Sequence, residues 1–267
     1  MLFGISTAAL YGRYETEDAV QIISGFQPRP DCMEVFLQST SEYSAAFARE
    51  IKRRLNCISC TSVHPQGTQF ENGMFSRSQR QRTDAMDAYR RVLDAAAIIG
   101  AARYIYHGRH TAQLQPLPFN AQCNADVIGP MCEEAAKRNI KVAWENVFWC
   151  QLTTPERVEK MRKLLPDVCF TLDIKQAMRA GVNPERFVPA MGEALCNVHL
   201  CDWTCEEKLC LPGEGIFDFK SFFKLLKDYH YTGPVILESY SNLVEKVDSL
   251  KESLEHLRAA NKDRLFL

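Results

Sequence analysis

Six of the apolar runs in this sequence end at a residue whose side chain can bind a metal ion or move a proton. In chain order, these residues are His64, His107, Glu145, Asp173, His199 and Glu238. Imidazoles mixed with carboxylates suit Mn²⁺, Mg²⁺, Co²⁺ or Zn²⁺ better than the softer metals that thiolates bind. A single histidine or acid at such a position is usually only solvated or hydrogen-bonded. The succession of six indicates one shared site, provided that the fold brings the ends of these runs together.

The last four of these residues have the composition of a site for one divalent cation. Glu145, Asp173 and Glu238 would repel one another if they were packed together without a positive charge, and His199 adds a nitrogen ligand. Such a set can hold an ion and leave room for two substrate oxygens. Glu145 and Glu238 could also act as catalytic acid and base. They would move a proton between adjacent carbons of a hydroxy-ketone while the ion stabilises the enediolate.

The apolar runs themselves have the pattern of buried parallel strands. They are continuous rather than alternating, as expected for strands that are covered on both faces. The predicted strands are 2–6, 32–37, 57–63, 103–106, 140–144, 168–172, a run that starts at Cys196, and 234–237. Helical patterns follow them at 17–26, 41–55, 77–99, 120–139, from 155, at 184–191, from 216 and at 242–260.

Eight strand–helix units in a chain of 267 residues indicate an α/β protein with a single (β/α)8 TIM barrel that spans residues 1–267. The alternative is an open, doubly wound sheet. It is disfavoured because no glycine-rich nucleotide loop follows the first strand. A barrel gathers the C-terminal ends of its strands on one face, where ligands bind. The fold therefore predicts that the six residues converge.

The composition argues against nucleic-acid and membrane partners. The formal net charge is −1, so no general basic surface would neutralise phosphates. The sequence has no signal-peptide pattern and no apolar run near the ~18 residues of a membrane span, so we expect a cytoplasmic protein. The 11 cysteines are an odd number. Cys57, Cys169 and Cys196 lie in strand-like runs, which is typical of buried thiols in a reducing compartment.

Five short motifs follow one another in the order and spacing of a known family. They are VAWEN (142–146), FTLDIKQA (170–177), NVHLCDW (197–203), LPGEGIFDF (211–219) and VILES (235–239). Through them nearly the whole chain resembles the xylose isomerase-like barrel superfamily, which includes sugar isomerases, sugar 3-epimerases, inosose dehydratases and endonuclease IV-type repair enzymes. The resemblance implies a divalent metal ion bound by Glu145, Asp173, His199 and Glu238. In the epimerase branch it also implies that Glu145 and Glu238 are the proton-transfer pair.

The sequence departs from the family's pattern at three places. The family often has a histidine at the position of Gln176, and the ketose 3-epimerase branch has a carboxylate at the position of Gln151. Both amides can hydrogen-bond a substrate oxygen, but neither can titrate. Several relatives also have a histidine just before LPGEG, where this chain has Lys-Leu-Cys at 208–210. We therefore expect this chain to hold its substrate differently from the ketose 3-epimerases.

The resemblance also raises a hydrolytic alternative, in which a metal-activated water attacks a phosphodiester in damaged DNA. The endonuclease branch binds three zinc ions, and His64, His107 and Glu145 match the ligands of one of them. The third ion lacks its ligands here, at Gln176 and near Leu209. A repair enzyme would also carry a basic surface towards DNA, so this alternative is the weaker one. Two further alternatives are elimination of water, as in inosose dehydratases, and sugar binding without chemistry.

The predicted activity is therefore that of a metal-dependent isomerase or epimerase on a small sugar, keto-sugar or polyol. The predicted substrate-binding residues are His64, His107, Gln176, Lys208 and Trp203. Glu34, inside the second strand, could point into the barrel mouth and hydrogen-bond the substrate or a metal ligand. We expect no nucleic-acid or membrane partner. Because relatives often form dimers or tetramers, a homo-oligomer is a further alternative to a monomer.

Overall fold

Eight parallel strands close into a barrel in the computed structural model, which describes residues 1–111 and 117–262. The barrel strands and the intervening hairpin are β1 (Leu2–Ser6), β2 (Cys32–Leu37), β3 (Ser59–Pro65), β4 (Arg103–Tyr106), β5 (Lys141–Glu145), β6 (Cys169–Asp173), β7 (Leu195–Leu200), β8 (Asp202–Trp203), β9 (Leu209–Cys210) and β10 (Pro234–Leu237). β8 and β9 pair antiparallel outside the barrel. β1 pairs with both β2 and β10, which closes the barrel and excludes the open sheet.

Helices surround the barrel in the order that the sequence predicts. They are α1 (Thr16–Ser24), α2 (Ala45–Arg54), α3 (Gln79–Ile99), α4 (Ala121–Ala136), α5 (Pro155–Leu164), α6 (Ile174–Arg179), α7 (Phe187–Met191), α8 (Phe219–Asp228) and α9 (Val247–Ala260). Pro155 opens α5, where its missing N–H costs nothing. Gly100 ends α3 with a φ angle of 100°, a left-handed conformation that favours glycine. Within the described ranges, no helix has both the length and the apolar character needed to cross a membrane.

The start of β3 differs from the prediction. The sequence predicts a strand from Cys57, but Asn56 and Cys57 have positive φ angles of 46° and 71° in the turn after α2. β3 therefore begins only at Ser59. Cys57 is exposed, so the prediction of a buried thiol is wrong at this position; Cys169 is buried and Cys196 is partly buried.

Three helical segments also differ. The helix predicted at 41–55 is a 3-10 turn, Thr40–Tyr43, followed by α2, because Ser44 caps α2 by accepting the N–H of Phe47 at 3.3 Å. The last helix begins at Val247 rather than at 242. α6 has no counterpart in the prediction, and it follows β6 without a loop. This short helix proves important for the site.

The apolar core explains the continuous apolar runs. All five residues of β6 and all four residues of β10 are buried, so these strands are covered on both faces. Each large side chain that is fully buried contributes about 1.5–3 kcal/mol through the hydrophobic effect. β1 lies so close to its neighbours that a Cβ at Gly4 would stand 2.7 Å from both Cys32 Sγ and Ile236 Cδ1. The strands are thereby held rigidly, and their C-terminal ends can carry charged groups in fixed positions.

Candidate active site

The four central candidates meet at the C-terminal end of the barrel. Glu145 and Asp173 end β5 and β6, His199 is the last but one residue of β7, and Glu238 follows β10. From His199 Nδ1, the distances are 2.9 Å to Glu238 Oε2, 3.7 Å to Glu145 Oε2 and 3.8 Å to Asp173 Oδ2. All four side chains are buried, and one ligand atom from each lies within 4.8 Å of the others.

The donor atoms of this four-residue cluster fit a divalent cation. They are three carboxylate oxygens and one imidazole nitrogen, a set that suits Mn²⁺, Mg²⁺, Co²⁺ or Zn²⁺. Over residues 1–111 and 117–262, Glu145 Oε2 is a buried atom without a hydrogen-bond partner, and His199 Nδ1 makes no hydrogen bond of regular geometry although Glu238 Oε2 lies 2.9 Å away. Buried polar atoms are nearly always paired, so these two point to a group that the protein chain itself does not supply.

Lys175 is part of the same cluster, and the sequence analysis did not identify it. Its ammonium hydrogen-bonds Asp173 Oδ2 and lies 2.7 Å from Glu238 Oε2. Only 3% of the side chain is exposed. Lys175 reaches this position because α6 starts directly after Asp173, which caps the helix by accepting the N–H of Gln176 at 2.9 Å. The Asp-x-x-Gln spacing, typical of a helix start, was the available signal.

Glu34 orients the imidazole of His199 from the opposite side. Its Oε2 accepts from Ser62 Oγ at 2.7 Å and from Asn197 Nδ2 at 3.3 Å, and it lies 3.0 Å from His199 Nε2. With Nε2 facing Glu34, Nδ1 faces the other three members of the cluster. This is the usual arrangement of a metal-binding histidine, whose second nitrogen is held by a carboxylate. The prediction that Glu34 points into the barrel mouth and contacts a candidate ligand agrees with this geometry.

His64 and His107 form a pair beside the cluster. Their Nε2 atoms are 2.8 Å apart, a contact that requires one nitrogen with a hydrogen and one without. His107 Nε2 is also 3.3 Å from Glu145 Oε2, and His64 Nδ1 is 3.5 Å from oxygens of both Glu34 and Glu238. Burial lowers the pKa of His107, which favours its neutral form. The pair thus connects Glu145 to Glu238 along one rim of the barrel.

The two glutamates of the cluster differ in proton affinity. Burial raises the pKa of Glu145 to about 8, with Asp173 and Glu238 adding to the effect and His199 opposing it. Burial alone would also raise the pKa of Glu238, but the charges of His199 and Lys175 hold it well below its usual range. Environments that move the pKa values of two neighbouring acids apart are typical of sites that transfer protons.

Glu71 supports His107 from behind. The carboxylate accepts from Tyr104 Oη at 2.9 Å, from Gly108 N at 3.2 Å and from His107 N at 3.3 Å. Burial raises the pKa of this carboxyl to about 7. Gly67 makes room for it, since a Cβ there would lie 2.5 Å from Glu71 Cδ. Sequence reasoning missed this residue because a lone glutamate in a polar loop carries no signal.

A cavity of about 540 Å³ lies over the cluster. This volume is within the ~300–1,000 Å³ range of small-molecule sites. The predicted site residues that line it are His64, His107, Glu145, Gln176 and Glu238. Tyr11, Phe36, Trp149 and Tyr240 give it an apolar wall, and Lys175 also borders it. The cavity thus places carboxylates, imidazoles and aromatic rings around one space large enough for a small molecule.

Two of the predicted substrate contacts are placed elsewhere. Lys208 is 75% exposed in its side chain and pairs with Glu206 at 2.6 Å. Trp203 packs on Phe217, with ring centroids 4.9 Å apart. Neither belongs to the described residues that line the cavity. Trp203 lies in β8 and Lys208 in the turn between β8 and β9, a hairpin separate from the barrel.

The two glutamines that depart from the family pattern do not pair with each other in the structure. Gln176 Oε1 accepts the N–H of Phe148 at 3.3 Å, and its side chain borders the cavity. Gln151 Nε2 donates to the carbonyl of Pro118 at 3.0 Å. Gln176 is therefore positioned to meet a ligand, whereas Gln151 holds a neighbouring loop.

The LPGEG motif is organised by Asp202. Its carboxylate accepts the N–H groups of Gly213 and Gly215 at 3.1 Å each and of Phe217 at 3.0 Å. A Cβ at Gly215 would stand 2.3 Å from Asp202 Oδ1. The motif therefore serves to fold the loop between β7 and α8.

Comparisons with known proteins agree with this fold. A model of the xylose isomerase-like TIM barrel family matches residues 18–260. D-psicose 3-epimerase from Clostridium cellulolyticum H10, solved with D-tagatose, has a TM-score of 0.79 at 15% identity, with 98% of this chain and 100% of that chain covered. The 3-keto-D-glucoside 4-epimerase from E. coli has a TM-score of 0.75 at 18% identity, covering 97% and 99%. The IolI protein with a bound zinc atom has a TM-score of 0.74 at 14% identity, covering 97% and 96%.

At these identities the three structures show a shared fold. An uncharacterized protein of Mycobacterium leprae (strain TN) is 32% identical over 96 residues. This match covers 33% of the present chain and 34% of that protein, so the aligned segment spans about a third of the relative's length.

Proposed function

Because the chain belongs to the xylose isomerase-like TIM barrel family, we propose that it is an enzyme that isomerises or epimerises a small sugar or keto-sugar with the help of one divalent metal ion. The neighbours that are sugar epimerases support this class of reaction. The neighbour with a bound zinc atom supports metal binding by a barrel of this fold. The observation that carries the proposal is the pair Glu145 and Glu238, which share one buried cluster, border one cavity and differ in proton affinity.

Glu145, Asp173, His199 and Glu238 would hold the ion. Bound there, it would supply positive charge that stabilises the negative charge developing on the oxygens of a hydroxy-ketone. Glu34 would keep His199 in the required orientation through the 3.0 Å contact at Nε2. The choice among Mn²⁺, Mg²⁺, Co²⁺ and Zn²⁺ is left to experiment, because the same donor set suits all four.

The two glutamates would carry the proton. Glu238 has the lower pKa and is ionised at neutral pH, so its carboxylate is placed to remove a proton from a carbon next to a carbonyl. Glu145 has the higher proton affinity and would supply the proton that is returned, to the opposite face of the same carbon in an epimerisation or to the adjacent carbon in an isomerisation. His64, His107 and Gln176 border the same cavity and would hydrogen-bond substrate oxygens. The aromatic wall would cover the apolar face of the sugar ring.

Elimination of water from a keto-inositol is a second candidate. It starts with the same removal of a proton next to a carbonyl, so the Glu238 carboxylate would serve it equally well. The two reactions differ in the next step: an isomerase or epimerase returns a proton to carbon, whereas a dehydratase expels the hydroxyl group of the carbon next to the deprotonated one as water.

The proposal is tested with a panel of ketoses and keto-inositols in D₂O with Mn²⁺ or Co²⁺, after which the metal is removed and the products are examined by NMR. An isomerase or epimerase should exchange a carbon-bound proton for deuterium and form a second sugar. A dehydratase should give an unsaturated ketone instead. Nicking of an abasic DNA duplex, with no exchange in any sugar, would contradict the proposal and favour the hydrolytic alternative.

A further inference from the structure

Lys175 occupies the part of the cluster that a divalent ion would need. Its Nζ hydrogen-bonds Asp173 Oδ2 and lies 2.7 Å from Glu238 Oε2. The same two oxygens face His199 Nδ1, at 3.8 Å and 2.9 Å. The ammonium therefore binds two of the four atoms that would coordinate the ion.

Two cations do not fit at these oxygens together. A divalent ion of this kind holds its ligands at about 2.0–2.2 Å, and the candidate ligand atoms all lie within 4.8 Å of one another. An ammonium bonded to Asp173 and Glu238 would stand next to the ion in a buried environment, where charges of the same sign repel strongly. Lys175 is 3% exposed, so little water screens this repulsion.

We infer that Lys175 is a tethered competitor of the divalent ion. Its ammonium holds Asp173 and Glu238 together in the metal-free protein, and the ion binds only when the ammonium leaves. This inference rests on the proposed metal site but not on the identity of the sugar. It assigns to Lys175 the role of setting metal affinity. None of the five sequence motifs indicates this role.

The cavity offers the displaced side chain a place to go. Lys175 borders the cavity, and its Nζ is 5.9 Å from the ring centroid of Tyr240 on the cavity wall. A rotation of the side chain would bring the ammonium towards this ring, while α6 stays anchored by its Asp173 cap. In that position the ammonium would face a bound substrate. Binding of the ion would therefore also place Lys175 where it can hydrogen-bond substrate oxygens.

Isothermal titration with Mn²⁺ and with Co²⁺ tests the competition directly. We expect Lys175→Met to bind either ion at least tenfold more tightly than the wild-type protein. Lys141→Met is the matched control, because Lys141 is the exposed first residue of β5, at the opposite end of that strand from Glu145. It should bind like the wild type. Equal affinity in the wild type and Lys175→Met would overturn the inference and leave the metal site standing. Absence of binding in all three proteins would overturn both.

Labelling of the wild-type protein gives a second test, which does not depend on whether Lys175→Met folds. Reductive methylation of lysines, mapped by mass spectrometry, is carried out with and without saturating Mg²⁺ or Zn²⁺. We expect Lys175 to be protected without the ion and to react at least severalfold faster with it, while Lys141 reacts at the same rate in both. Protection of Lys175 that persists in the ion-loaded protein would overturn the inference.

Discussion

The Glu238 side and the Glu145 side of the cluster are built from the same residue type but behave differently. Glu238 has two cationic neighbours, Lys175 at 2.7 Å and His199 at 2.9 Å. Glu145 is 3.7 Å from His199 and faces His107 at 3.3 Å. Both carboxyl groups are buried, at 7% and 1% exposure. The neighbouring charges, rather than burial, therefore decide which glutamate is ionised and which has the higher proton affinity.

The largest effect is expected at the ionised side of this comparison. Glu238→Gln keeps the shape of the side chain but removes its ability to accept a proton, so proton exchange into D₂O should fall about 1,000-fold, within the range for loss of a general base. Circular dichroism should show an intact fold. Normal turnover by Glu238→Gln would mean that Glu238 is not the base. The difference in proton affinity between Glu238 and Glu145 would then have no role in catalysis.

Glu71 extends the comparison to a buried acid outside the cluster. Burial raises its pKa from 4.5 to about 7 in the folded protein, so the unfolded chain loses the proton first as pH rises. The free energy of unfolding should therefore decrease between pH 4.5 and 7, by roughly 3 kcal/mol at 1.36 kcal/mol per pH unit. Glu71→Gln should remove most of this decrease, because the amide is neutral at every pH and still accepts from His107 and Gly108.

Urea unfolding of the wild type and Glu71→Gln at pH 5 and pH 8 measures this difference. Glu42→Gln is a useful comparison, since burial also raises the pKa of Glu42, which lies in the 3-10 turn after β2 and outside the four-residue cluster. A free energy of unfolding that falls from pH 5 to pH 8 by the same amount in the wild type and in Glu71→Gln would contradict the assignment to Glu71.

Asp173→Asn tests the cluster member that shares the ammonium of Lys175 with Glu238. The substitution removes one anionic ligand, and we expect metal affinity to fall about 100-fold, the upper end of what even indirect ligand changes cost. The helix should survive, because asparagine caps helices as well as aspartate does. Titration with Mn²⁺ measures the loss. Unchanged affinity would remove Asp173 from the proposed ligand set.

The smallest effect is expected for Glu34→Gln. The amide oxygen can still accept from His199 Nε2, at present 3.0 Å from Glu34 Oε2, but the negative charge that strengthens this contact is lost. Metal affinity should fall about tenfold, as for other residues that orient a ligand. Ser62→Ala is the control, because it removes one hydrogen bond to Glu34 without touching His199. A larger loss in Ser62→Ala than in Glu34→Gln would contradict an orienting role.

The positions of the candidate ligands followed from local sequence patterns. Glu145, Asp173, His199 and Glu238 each come at the end of an apolar run, and any closed parallel barrel brings such ends together. The barrel itself was predictable for the same reason, since eight continuous apolar runs alternate with helical patterns. The Pro155 start of α5 and the glycine end of α3 are equally local signals.

The predictions that failed or were missed depend on geometry beyond the local pattern. Cys57 is exposed because a left-handed turn precedes β3; Asn56 is a residue type that favours this conformation, but Cys57, with a φ angle of 71°, is not. Lys208 lies outside the lining of the cavity, in the turn of a hairpin in which Asp202 of β8 lies opposite Cys210 of β9. A strand of two residues is too short to leave a periodic pattern.

The sequence by itself determined the barrel and the set of acids and histidines at its C-terminal end, because both depend on patterns that repeat along the chain. Only the tertiary structure decided the charge distribution among them. Lys175 meets Glu238 across 63 residues, and Glu34 meets His199 across 165 residues. Electrostatic interactions depend on distances of a few ångströms between side chains, and such distances exist only once the barrel has closed.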